Sequence, residues 1–147
     1  MAETQTKATD LIGMLEKFFK QAPNLPENAR EVLVKIAPWL SLIFGILGIL
    51  GGLSLLGFSP LALFGGLSSS MVVLLSGVVS IVASVLMLMA YPKLVKRQYK
   101  GWELLFWSEA VSVVSVVISV VISFSIVSLL FVLIGFYLLF QIKSYYK

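Results

Sequence analysis

Glu109 is the residue here best placed to do chemistry, because it is an acid within a stretch, Gly101 to Lys143, that is almost wholly apolar. An ionised acid near the bilayer centre costs roughly 2.5–3.5 kcal/mol on insertion scales. A residue kept at that cost either binds a proton or cation inside a helix bundle, as in small transporters, or is a structural acid. In the second case it leans toward water, or hydrogen-bonds to lock helix register. Its candidate partners follow from hairpin arithmetic. Folding the chain about residue 96 or 97 puts Ser84 level with Glu109, and folding it about residue 123 puts Tyr137 there. Ser112 completes this candidate polar site. The second fold also puts Glu103 level with Lys143, a candidate ion pair at headgroup depth worth about 0–1 kcal/mol if exposed.

Other chemistry is poorly provided for. The chain has no His and no Cys, which removes the usual metal ligands, thiol chemistry and the commonest general base. It has no glycine-rich phosphate loop behind a strand, no Ser-His-Asp set and no paired carboxylates at catalytic spacing outside the apolar stretches. The expectation is a non-enzymatic protein with no cofactor and no metal. The net charge of +4 does not point to nucleic acid, since no aromatic and basic platform accompanies it. The basic residues fall at predicted membrane edges instead, where they face anionic lipid headgroups.

The elements that must position Glu109 are set by lipid. Of the 147 residues 59% are hydrophobic and only 12% charged, against roughly a quarter charged in a soluble domain. Residues 1–25 form an N-terminal segment that reads as an amphipathic helix: Leu11, Met14, Leu15, Phe18 and Ala22 recur at helical spacing. It is expected either to lie in the headgroup plane or to cover the end of the bundle. Pro23-Asn24-Leu25-Pro26 breaks it, and Asn24 with Glu27 has capping-box spacing for the next helix. Residues 26–147 are expected to form four spans, at about 38–57, 71–91, 102–122 and 126–142. Pro38 either starts the first span or kinks the helix entering it. Between the first two, Ser59-Pro60 can begin a short helical turn that Gly65-Gly66 stops. The run from Gly101 to Lys143 would make a helix about 60 Å long, twice the roughly 30 Å hydrocarbon core, so it must fold back. Ser123-Phe124-Ser125 is its only polar candidate for the turn. The β-branched run from Val111 to Ile126 suits a strand in water, but serines recur through it at helical intervals and four short strands cannot close a barrel.

Small residues mark the expected contact faces. Ser41, Gly45, Gly48 and Gly52 form one stripe, Ser76 and Ser80 begin a second that continues to Ser84, and Ser112, Ser115 and Ser119 form a third. In lipid such stripes let backbones approach closely. No cleavable signal peptide is visible, so the first span should remain as an anchor. Basic residues occupy the N-terminal segment, the 92–101 loop and the C-terminal tail, and are missing from residues 58–70 and 123–125. That bias places both termini and the 92–101 loop in the cytoplasm, in a multi-pass protein of the cell membrane.

The segments KGWELLFWSE (100–109), FYLLFQIKSYY (136–146) and APNLPENAREVLVKIAPW (22–39) resemble those of small bacterial four-span integral membrane proteins of unknown function. The resemblance implies the same four-span plan and assigns no functional residue. The fold expected is thus an all-α membrane protein, four antiparallel spans behind an amphipathic helix. The first functional expectation is assembly through the small-residue faces, as a homo-oligomer or with a membrane-protein partner. The alternative is a small transporter or channel that uses Glu109 and the serine-lined faces for a proton, cation or small solute.

Overall fold

The computed structural model describes residues 2–123 and 126–147, and of residues 2–8, 68 and 119–123 it gives the backbone path alone. Phe124 and Ser125 of the expected turn lie outside the described residues. The helices are α1 (Ala2–Phe19), α2 (Glu27–Phe58), α3 (Leu67–Val95), α4 (Tyr99–Ser123) and α5 (Ile126–Ile142), with 3₁₀ turns at Leu61–Gly65 and Lys143–Tyr145. Each of α2 to α5 carries a segment long and apolar enough to cross a bilayer. The chain is an all-α membrane protein, with four spanning helices preceded by a shorter one. Successive helices pack antiparallel, α2 on α3, α3 on α4 and α4 on α5, and α5 returns to touch α2.

Helix α2 has 32 residues, hence a length of about 48 Å, and its first turns stand beyond a hydrocarbon core of about 30 Å. Pro38 lies buried inside it and does not end it. The helix therefore runs unbroken from Glu27, where the Asn24–Glu27 spacing places its start, into the span expected from about residue 38. Pro92 is likewise inside α3, which runs on to Val95 past the expected stop at Tyr91. The expected capping box does not form. Pro26 flanks the first turn of α2 with no side-chain cap, and the N–H of Leu25 donates instead to Oε1 of Gln141, 3.2 Å away. The Ser59-Pro60 turn does form, and Gly66 closes it at φ 100°, a conformation that a Cβ would strain.

The α2–α3 seam is built by small residues. Gly45 faces Leu88 and the carbonyl of Ser84, Gly48 faces the Ser84 hydroxyl, and Gly52 faces Ile81 and the carbonyl of Gly77. The Ser80 hydroxyl donates to the Gly48 carbonyl at 3.1 Å, and that of Ser41 to the Met87 carbonyl. Stripe meets stripe within one chain, so these faces are already covered and a second chain cannot also use them.

The buried apolar core gathers at one end. It joins Ile12 and Phe19 of α1 to Val34, Ala90, Leu94, Trp102, Phe106, Phe136, Leu139, Ile142 and Tyr146. The C-terminal residue is tied to the α3–α4 connection there too. Lys147 N–H donates to the Arg97 carbonyl, and Tyr99 N–H to the Lys147 carbonyl. Arg97 takes a left-handed φ of 51° in this connection. Towards the other end the outer faces are bare, with Ile126, Phe131, Leu67 and Met71 all about 70% exposed. These apolar faces are left open by the single chain.

Helix α1 docks on the core end by Ile12 and Phe19, with Phe19 stacked on Phe136 and Phe140. Leu11, Met14 and Phe18 point away and stay 47%, 73% and 65% exposed. The expected apolar face is therefore split: its Leu15 edge, with Ile12 and Phe19, meets the bundle, and the rest is uncovered. Glu16 fixes the register by binding both Lys143 and Lys20. The hydrogen bond from Lys143 holds the Glu16 carboxyl below its ordinary value of 4.5, against a smaller opposing effect of burial. A folded-state value below the unfolded one makes the pair's contribution full above about pH 4.5, and it fades as the pH falls through the lowered value. Glu16→Gln at neutral pH should imitate that loss, about 1 kcal/mol, and speed amide exchange in α1 about fivefold. Exchange mass spectrometry that finds α1 as well protected in Glu16→Gln as in the unaltered protein, both at neutral pH, would show that this pair does not hold the helix.

Candidate functional site

Glu109 stands on α4 about 10 Å, or seven residues, inside Trp102. Its carboxylate lies over Gly135 of α5, where any Cβ would collide with it. It opens on a cavity of about 180 Å³ between α2, α4 and α5. The walls are mainly Leu33, Leu40, Phe44, Leu105 and Leu138, and the only other side-chain polar atoms are the hydroxyls of Ser41 and Ser108. Both hydroxyls already donate to carbonyls, Ser41 to Met87 and Ser108 to Leu105. Among the described residues no hydrogen bond or ion pair reaches the Glu109 carboxylate. The arrangement is thus a single acid facing a mostly apolar groove. It can hold one proton or one cationic or hydrogen-bonding group. Among the described residues no group of three acids could hold a metal.

The residues expected around Glu109 are elsewhere. Ser84 is buried against α2 beneath Gly48, and its hydroxyl donates to the Ser80 carbonyl at 2.6 Å. Equal depth therefore did not mean a shared face: Ser84 looks toward α2, while Glu109 looks toward α5. Tyr137 is not the partner either, because its hydroxyl donates to the Pro23 carbonyl at 2.6 Å and pins the α1–α2 linker. The α4–α5 pairing is shifted by two residues, so that Gly135, the residue without a side chain, meets the acid. Ser112 sits one turn along α4, and its hydroxyl turns back to the Ser108 carbonyl at 3.0 Å.

The Glu103–Lys143 pair is also replaced. The two residues do share a cavity with Glu16, but the ammonium group of Lys143 is taken by Glu16 and lies 5.2 Å over the Trp102 ring. Glu16 is delivered by α1, whose docking no local spacing reveals. Of the stripe residues, Ser76 and Ser115 are half-buried on α3 and α4, and the Ser119 side chain lies outside the described residues. Trp102, a headgroup marker by sequence, is fully buried, and its indole N–H donates to the Leu139 carbonyl at 2.7 Å. Trp39, by contrast, is exposed, edge-on to Tyr91.

Reading the sequence missed Gly135, and the signal available was a lone glycine in α5 within two residues of the level of an intramembrane acid. It also missed Gln141, an isolated amide in an apolar run, which is buried and holds the linker. No family model, curated protein or solved structure matches this chain.

Proposed function

We propose that this chain is a non-enzymatic membrane protein that works by assembly, with itself or with a larger membrane partner, rather than by conduction. The observation that carries this reading is the state of the small-residue faces. The glycines of α2 are in direct contact with α3, and the serines flanking them donate to carbonyls, Ser41 to Met87, Ser80 to Gly48 and Ser84 to Ser80. A solute path would need those hydroxyls facing water. Since the faces are closed internally, assembly would use the bare outer surfaces of α2 and of the first half of α5. We place the protein in the cell membrane, with both termini and the Lys96-Arg97 connection in the cytoplasm. The support is that the connection and the C-terminal tail are joined at the core end and that every basic residue belongs to that end by sequence.

A rival reading, proton or cation transport, draws on one specific observation, the unpartnered carboxylate of Glu109 in its groove. Flux in proteoliposomes decides between them. Vesicles carrying the protein should pass protons and potassium no faster than empty ones, and Glu109→Gln should leave that baseline unchanged. Wild-type flux that Glu109→Gln abolishes would replace assembly with transport.

A further inference from the structure

We propose that the cleft between α1, α2 and the C-terminal turn is a binding site for a phosphate anion, and specifically for the headgroup of an anionic phospholipid. The cleft has a volume of about 390 Å³, many times the roughly 30 Å³ of one water molecule. Three cations line it, Lys20, Arg30 and Lys143, against the single carboxylate of Glu16. Glu16 is engaged by the two lysines, which leaves Arg30 as a cation with a donor to spare.

Two residues that line this cleft each carry a buried donor with no partner among the described residues. The donors are Nε of Arg30 and the hydroxyl of Tyr146, whose residue is only 4% exposed. Native proteins rarely leave a buried donor unmatched, and each such group calls for an explanation. Arg30 and Tyr146 stand on the wall of one positively charged space, and an arginine Nε–H and a phenol suit an acceptor with several oxygens, such as phosphate. Burial pushes the Tyr146 phenol up to about 12, so it keeps its proton and remains a donor at neutral pH.

The surroundings favour a lipid over a free anion. Tyr99 lies one helical turn outside Trp102 and forms part of the cleft wall, which puts the cleft at headgroup depth. Phe19 and Phe140 give it apolar sides. One wall is α1, and the opposite face of that helix exposes Leu11, Met14 and Phe18. A lipid whose phosphate enters the cleft can lay the start of its acyl chains against Phe19 and Phe140. The inference does not depend on whether the protein assembles or transports.

The test is titration of the full chain in maltoside micelles, read by tryptophan fluorescence, since Trp102 stacks on Tyr99 at the cleft. Short-chain phosphatidylglycerol should bind about tenfold more tightly than phosphatidylcholine with the same chains. Tyr146→Phe and Arg30→Gln should each weaken it about tenfold, as expected for loss of a hydrogen bond to a charged group. Lys96→Gln, which removes a loop charge outside the cleft, should change it less than about twofold. Without lipid, Tyr146→Phe should melt no lower than wild type, because it removes an unmatched hydroxyl. If Arg30→Gln does not fold, Tyr146→Phe still decides. Unchanged phosphatidylglycerol affinity in Tyr146→Phe overturns the site. Displacement of the lipid by an equal concentration of inorganic phosphate overturns the lipid as its ligand.

Discussion

Replacing Trp102 by alanine should produce the deepest loss of stability of any single change, about 3–5 kcal/mol, or on the order of 10 °C in the melting temperature in detergent. Three roles meet in this residue. Its ring is fully buried and stacks on Tyr99 and Phe106, with Phe140 edge-on. Its indole N–H caps the Leu139 carbonyl, one of the last four of α5, which have no partner within the α-helix. Its face receives the Lys143 ammonium group, which also binds Glu16 of α1. Truncation therefore opens a void, frees a carbonyl and loosens the contact that orients α1. Trp102→Phe separates these contributions, keeping most of the ring volume while removing the donor, and should cost only about 1–3 kcal/mol. Circular dichroism melts provide the measurement. A Trp102→Ala protein that melts within two or three degrees of wild type, by about the scatter of such scans, would show that the aromatic cluster does not organise the core end.

The bundle was legible because lipid imposes lengths that sequence cannot hide. A run from Gly101 to Lys143 has to turn, and a row of glycines in α2 has to face a neighbour. The short turn was legible because Ser59-Pro60 and Gly65-Gly66 are local signals. What stayed hidden depended on which way a rod is rotated. Hairpin arithmetic gives depth, so it put Ser84 and Tyr137 level with Glu109, but it does not say which face each residue presents. The α1 contact was partly legible for the same reason. Its apolar arc is wide enough to serve two surfaces, and only the docked position of Phe19 shows which part meets protein. Pro38 illustrates a further limit. A proline lacks one N–H in any helix, and whether the rod breaks depends on neighbours that steady it from either side. Gln141 makes the same point for the linker, since the partner of the Leu25 N–H lies more than a hundred residues along the chain.

The second large effect is expected at Gly52, where valine should destabilise the bundle by roughly 1–3 kcal/mol or prevent its assembly. A Cβ built there would stand 2.6 Å from a side-chain carbon of Ile81 and 2.9 Å from the carbonyl oxygen of Gly77. The first contact can yield by a rotamer change, but the second is backbone and can yield only if the helices separate. Separation also weakens the Ser80 bond to the Gly48 carbonyl. Each interhelical bond of that kind averages only about 0.6 kcal/mol, so the close approach itself carries more of the loss. Gly51 is the internal control. It lies one residue earlier on the same helix, and a Cβ there would meet nothing within 4 Å. Gly51→Val keeps the same cost of a β-branched residue in a helix, a few tenths of a kcal/mol or more than offset by losing glycine, without the clash. Gly52→Val should therefore melt several degrees below Gly51→Val, with the difference read from paired scans of the purified proteins. Equal melting of the two variants would mean that α2 and α3 are not held at backbone contact, and the closed stripe that favours assembly over conduction would lose its footing.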